Sequence, residues 1–269
     1  MTSPDPLLAA QTVTVSFGAT AAVSAVDLPV ARGEMTAIIG PNGCGKSTLL
    51  RTMGRLLAPD TGTVTLDGAD ISTLPTRDVA RRVGILPQAP IAPEGLSVID
   101  LVSRGRDPYR RWYDQWSASD EAAVHDALRR TDMITLADRP VDALSGGQRQ
   151  RAWIAMALAQ GTEVLLLDEP TTYLDVVHQI DVLDLVRELH DTEGTTVVMV
   201  LHDLSMAARY ADRLVAMRDG QIVAEGSSAE VISPEVLSRV FDLECEVLVD
   251  SRTGRPIVVP IGRTPEGAQ

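Results

Sequence analysis

The apolar positions of this chain fall into short, unbroken runs. Met35-Thr36-Ala37-Ile38-Ile39, Val164-Leu165-Leu166-Leu167 and residues 196–201 lack the alternation of a half-exposed strand. Such runs predict strands buried on both faces, the pattern of a parallel sheet covered by helices. Leu49-Leu50-Arg51-Thr52-Met53 and the alanine-rich stretch 152–159 are strong helix formers. Residues 97–105 and 119–131 predict further helices, so about 90–160 is mostly helical, while 164–217 alternates strand and helix and closes a parallel sheet. Residues 7–32 and 62–68 are β-rich, with turns at Thr61-Gly62-Thr63 and Asp67-Gly68. Residues 218–245 predict a hairpin about Asp219-Gly220 and then a helix. Ser251-Arg252-Thr253-Gly254 divides two β-prone stretches, 246–249 and 257–259, into a small C-terminal hairpin; residues 264–269 are expected to fray. There is no internal repeat.

The longest apolar runs, such as 197–201, are far short of the roughly 20 residues that cross a bilayer. The first six residues carry neither a basic region nor an apolar stretch, so nothing suggests export. With 45% apolar and 23% charged residues, wholesale disorder and coiled coil are excluded, and 269 residues can bury a substantial core. Two cysteines, Cys44 and Cys245, are too few for a disulfide framework and fit a reducing cytoplasm. The net charge of −13 argues against non-specific binding to nucleic acid or anionic lipid. Work at a membrane would need a protein partner.

Of 24 basic residues, 23 are arginine and one is lysine, Lys46. A chain that otherwise uses arginine keeps its lone lysine where a compact ammonium is required. Lys46 lies in Gly40-Pro41-Asn42-Gly43-Cys44-Gly45-Lys46-Ser47-Thr48, between a buried strand and a helix, which is the context of a P-loop. The glycines turn backbone N–H groups toward a phosphate chain, and the helix N-terminus adds its positive end. Lys46 can reach the β- and γ-phosphates, and the Ser47 hydroxyl can ligate Mg²⁺. Cys44 is a small residue filling a tight turn. Downstream, the run 164–167 ends in Asp168-Glu169. At the carboxyl end of a buried parallel strand, Asp168 can hold Mg²⁺ through water and Glu169 can polarise the attacking water as general base.

Between these lies Leu144-Ser145-Gly146-Gly147-Gln148-Arg149-Gln150-Arg151, with Ser145 a natural N-cap 23 residues before Asp168. With this octet the sequence resembles the nucleotide-binding subunit of an ABC transporter, over residues 7–245. The resemblance implies a P-loop NTPase fold of α/β class: a RecA-like parallel-sheet core, a β-rich ATP-binding subdomain and a helical signature subdomain. One ATPase domain would span 1–269, with core and β subdomain at about 7–89 and 162–245, the helical subdomain at 90–161, and a hairpin and tail at 246–269. By the same resemblance, Phe17 stacks on adenine, and Gln88 contacts Mg²⁺ and water and senses the permease. Leu174-Asp175 is the D-loop, His202 is the switch histidine at the γ-phosphate, and Ser145, Gly146, Gly147 and Gln148 bind the nucleotide of a second subunit. His125, His178 and His190 are left as surface or helix residues.

One P-loop and one signature imply a head-to-tail homodimer around two ATP, driving integral-membrane permease subunits and, indirectly, serving a substrate-binding protein. The chain would be peripheral at the cytoplasmic face of the cell membrane, without lipid insertion. Tyr109, Trp112, Tyr113 and Trp116, four of nine aromatics, interleave with arginines in a segment expected to dock on a partner. Leu86-Pro87-Gln88, Gly105-Arg106-Asp107-Pro108-Tyr109, Pro170-Thr171-Thr172-Tyr173-Leu174-Asp175 and Val200-Leu201-His202-Asp203-Leu204 are similar to the ATPases of iron–siderophore importers. Haem and cobalamin importer ATPases are the alternative. ABC ATPases of DNA repair or translation fit less well, because the 99 residues from Lys46 to Ser145 hold no heptad run. A non-catalytic module would lack counterparts of Glu169 or His202.

Overall fold

The computed structural model describes residues 5–110, 115–172 and 174–263. Arg111, Trp112, Tyr113 and Asp114 of the aromatic segment, Tyr173 and the tail 264–269 lie outside the described residues. Strands β1 (Leu8–Phe17) and β2 (Thr20–Val30) form a hairpin, β3 (Met35–Ile39) leads to α1 (Lys46–Met53), and β4 (Thr61–Leu66) and β5 (Ala69–Asp70) follow. Then come α2 (Thr76–Arg82), β6 (Val83–Leu86), α3 (Val98–Ser103), a 3-10 segment (Arg104–Tyr109), α4 (Ala118–Arg130), α5 (Gly146–Gln160), β7 (Val164–Asp168) and α6 (Val176–Glu193). The chain continues through β8 (Thr196–Val200), α7 (Leu204–Tyr210), β9 (Arg213–Arg218), β10 (Gln221–Gly226), α8 (Ser228–Val231) and α9 (Pro234–Phe241) to β11 (Leu243–Val249) and β12 (Pro256–Arg263). These elements form two compact units: Leu74–Thr195, and the chain before and after it.

In the discontinuous unit, β3 pairs in parallel with β8 (Met35↔Val197) and with β9 (Ala37↔Leu214), and β10 returns antiparallel on β9. Every residue of β3 and β8 is buried, as their unbroken apolar runs require. A second, antiparallel sheet has the order β2-β1-β4-β5. The C-terminal hairpin β11–β12 is longer than its β-prone cores. Pairing extends from Val249↔Pro256 to Leu243↔Arg263, with a bulge after Glu244.

In the continuous unit, β6 and β7 pair in parallel, Val83↔Val164 to Leu86↔Leu167. Helix α5 buries Ala152, Trp153, Ile154, Ala155, Ala157 and Ala159 among its neighbours. Helix α4 opens on a capping box: the Ser117 hydroxyl accepts from the Asp120 amide, and the Asp120 carboxylate accepts from the Ser117 amide. Helix α3 stops at Ser103, two residues before the expected end, and the chain tightens into the 3-10 segment holding Pro108, which has no N–H to give.

This unit runs from Leu74 to Thr195 and contains the whole helical segment 90–161. The side chains of α2 explain the start at Leu74. Arg81 donates to the Pro108 carbonyl (2.9 Å) and lies over the Tyr109 ring, Arg77 donates to the Arg110 carbonyl (2.8 Å), and Gln160 donates to the Ala80 carbonyl (2.5 Å). Helix α2 and strand β6 therefore belong with the helices that follow.

Candidate functional site

The loop 40–45 bends between β3 and α1 as its glycines predict. Helix α1 begins at Gly45 (φ +102°), with no side chain capping it and no acidic residue in its first turn. An uncapped helix N-terminus behind a glycine loop is chemically suited to an anion. Lys46 is 4% exposed, and its ammonium donates to the carbonyls of Gly40 (2.8 Å) and Pro41 (2.9 Å). The one lysine of the chain is thus folded into the loop itself. Burial pushes the Cys44 thiol up, against the opposing pull of the Lys46 ammonium. Two of the glycines are demanded by space: a Cβ at Gly45 would lie 2.0 Å from the Ala22 carbonyl oxygen, and one at Gly40 would lie 2.2 Å from that of Met217.

His202 follows β8 at the same end of the parallel sheet, since Ile38 pairs with Val200 and the Leu201 amide donates to the Ile38 carbonyl. It is exposed, and the next residue, Asp203, caps α7 by accepting from the Met206 amide (2.8 Å). Phe17 ends β1 at the tip of the hairpin whose other strand carries Ala22. The residue is 59% exposed, which leaves a ring face for stacking.

In the other unit, the parallel register sets Gln88 against Glu169. Leu86 pairs with Leu167, and each of the two residues lies two positions beyond. The Gln88 amide donates to Glu169 Oε2 (2.5 Å), and the Thr172 hydroxyl donates to the same oxygen (3.0 Å). Glu169 is nearly buried and has φ +53°, a left-handed conformation that costs a non-glycine residue about 1–3 kcal/mol. Its carboxylate is held by two donors on a strained turn. Asp168 precedes it, 1% exposed at the end of β7. Sequence reasoning missed Thr172; its place three residues after Glu169 in a tight turn was the available signal.

The signature octet caps α5. Ser145 Oγ accepts from the Gln148 amide (3.3 Å), and Gln148 Oε1 accepts from the Ser145 amide (3.2 Å). This reciprocal box leaves Gly146 and Gly147 as the first residues of the helix. Asp175 caps α6 by accepting from the His178 amide (3.0 Å), and its Oδ1 is also 2.7 Å from His178 Nδ1. The His178 amide first, and then its ring, hold the Asp175 carboxyl below the usual carboxylate range. His178, set aside on sequence grounds, therefore touches Asp175.

The aromatic segment divides. Tyr109 is half-buried, with the Arg106 guanidinium 3.9 Å from its ring centre and Arg81 at 5.3 Å. Arg106 also pairs with Asp120 (2.9 Å) and donates to the Ala159 carbonyl (2.8 Å). Trp116 is 38% exposed, beneath Arg110.

A family profile described as ABC transporter matches residues 23–172. The chain belongs to the ABC transporter family. It is an ATP-binding subunit and an ATPase. It is 53% identical over 251 residues to the petrobactin import ATP-binding protein FpuD of Bacillus anthracis, covering 93% of this chain and 92% of that one. It is 48% identical over 264 residues to the ferric enterobactin transport ATP-binding protein FepC of Escherichia coli, covering 98% and 97%. Among solved structures, an inward-facing metal-chelate type ABC transporter superposes with a TM-score of 0.83 at 26% identity, covering 96% of this chain and 98% of that one. No helix among the described residues of this ABC subunit is long and apolar enough to cross a membrane.

Proposed function

We propose that this chain powers the import of a ferric siderophore. It binds ATP as a head-to-tail homodimer on integral-membrane permease subunits at the cytoplasmic face, and a substrate-binding protein delivers the cargo. The observation that carries the cargo assignment is the high identity, over nearly full length, to ATP-binding proteins of petrobactin and enterobactin import.

In this reading Lys46 and the amides of Gly43, Cys44, Gly45, Ser47 and Thr48 bind the phosphate chain, with Gly40, Pro41 and Asn42 shaping the loop, while Phe17 stacks on adenine. The Ser47 hydroxyl, the Asp168 carboxylate and the Gln88 amide oxygen are hard oxygen donors of the kind Mg²⁺ takes. Bound there, Mg²⁺ would neutralise charge on the phosphate oxygens. Glu169 accepts a proton from the attacking water at its carboxylate, and Gln88 and Thr172 orient that carboxylate. His202 contacts the γ-phosphate. Ser145, Gly146, Gly147, Gln148 and Asp175 meet the nucleotide of the partner subunit.

The test is deletion of the gene. Growth on a ferric siderophore as sole iron source should fail, and excess ferric iron should restore it. Normal siderophore uptake with defective haem or cobalamin uptake would move the assignment to those cargoes.

A further inference from the structure

His178 lies in the first turn of α6 and presents two edges to two different motifs. Its Nδ1 is 2.7 Å from Asp175 Oδ1. An ionised carboxylate only accepts, so in the neutral imidazole Nδ1 carries the proton and donates. The opposite edge of the ring covers Gly147. A Cβ built on Gly147 would lie 2.8 Å from His178 Cδ2, 3.2 Å from Cγ and 3.4 Å from Nε2. Gly147 is not among the glycines of positive φ, so its backbone would accept any residue. A side chain there would have to displace the imidazole, which occupies its space. One ring thus ties the cap of α6 to the first turn of α5, across 31 positions of sequence.

We propose that His178 is a positioning residue that fixes the D-loop aspartate Asp175 and the signature turn at Gly147 as one rigid surface for the partner subunit. This rests on the head-to-tail reading above. The ring touches neither phosphate nor water in this role. It sets the spacing between the Asp175 carboxylate and the Gly146 and Gly147 amides, so both meet the partner at once. Without it, each would have to be ordered separately on association, at the cost of conformational entropy.

The experiment is a double-mutant cycle in the full chain, on a Glu169→Gln background where ATP persists. ATP-driven dimerisation is followed by light scattering, and ATP binding by the monomer is followed with a fluorescent ATP analogue. His178→Ala should raise the ATP concentration for half-maximal dimerisation about tenfold, as loss of a charge-assisted hydrogen bond implies, and Gly147→Ala, which pushes the ring aside, should raise it at least as much. Monomer ATP binding by His178→Ala should not move. The two changes together should do no more than Gly147→Ala alone, because removing the imidazole makes room for the methyl group. His178→Asn, whose side-chain N–H can reach Asp175, should recover part of the His178→Ala loss. Losses that multiply in the double variant, or no loss from either single one, would overturn the role of the ring. A Glu169→Gln parent that stays monomeric at saturating ATP would instead overturn the head-to-tail reading, and the positioning role with it.

Discussion

Gly43 and Gly45 sit in the same loop and have the same composition signal, yet the structure assigns them different costs. Both have positive φ, +79° and +102°. Alanine at Gly43 meets nothing within 4 Å, so it adds only backbone strain, about 1–2 kcal/mol. Alanine at Gly45 adds comparable strain, about 1–3 kcal/mol. It also drives a methyl group to 2.0 Å from the Ala22 carbonyl oxygen and 3.4 Å from Val23 Cγ2. The obstructing oxygen is backbone near the start of β2 and has no rotamer to escape to, so overpacking adds about 1–3 kcal/mol. The expected loss at Gly45 is therefore about 2–6 kcal/mol, out of a total stability that for most proteins is about 5–15 kcal/mol. Urea unfolding followed by circular dichroism, with equal slopes, reads the difference as a shift in midpoint. Binding of a fluorescent ATP analogue should fall more steeply for Gly45→Ala, because the strain is relieved by shifting the start of α1. Equal midpoints and equal ATP affinities for the two variants would refute the argument from space.

Lys46→Arg should abolish ATP binding while circular dichroism stays native. The ammonium sits between two loop carbonyls at 2.8 and 2.9 Å, and a guanidinium is too wide for that place; near-normal turnover would remove the loop as the phosphate site. Arg106→Leu should cost about 3–5 kcal/mol in urea unfolding at pH 7, because it strands the buried Asp120 carboxylate. Burial alone would raise the Asp120 carboxyl, but the Ser117 hydroxyl and the Arg106 guanidinium outweigh it and hold it below the ordinary range. The wild-type advantage is then complete above about pH 4 and fades as pH falls through the lower folded-state value. An advantage that grew on acidification would contradict the pairing.

Much of the fold is legible because buried parallel strands announce themselves. The run 164–167 and residues 35–39 became β7 and β3, and the strong formers after Ser47 and Gly147 became α1 and α5. The P-loop is legible for a different reason: its residues are contiguous, so the motif and the local geometry coincide. What stayed hidden depends on neighbours distant in sequence. The Gln88–Glu169 hydrogen bond follows from the β6–β7 register, which no local pattern reveals. The packing of His178 on Gly147 joins two helices, and a lone histidine at a helix start carries no mark of it. The contacts of Tyr109 with Arg81 and Arg106 likewise join α2 to the 3-10 segment, and the aromatic pattern of the segment does not announce them. The start of the continuous unit at Leu74 reflects side chains of α2 reaching to Pro108 and Arg110, again a long-range matter.

The central claim is that Glu169 takes the proton from water in an ATPase whose binding machinery lies elsewhere in the chain. Glutamine there keeps the shape, and its carbonyl oxygen can still accept from Gln88 and Thr172, but it cannot take a proton. The direct measurement is single-turnover ATP hydrolysis by Glu169→Gln, with ATP affinity determined on the same preparation. The account predicts unchanged affinity and a hydrolysis rate lower by about 100-fold or more. Hydrolysis at the wild-type rate would contradict it.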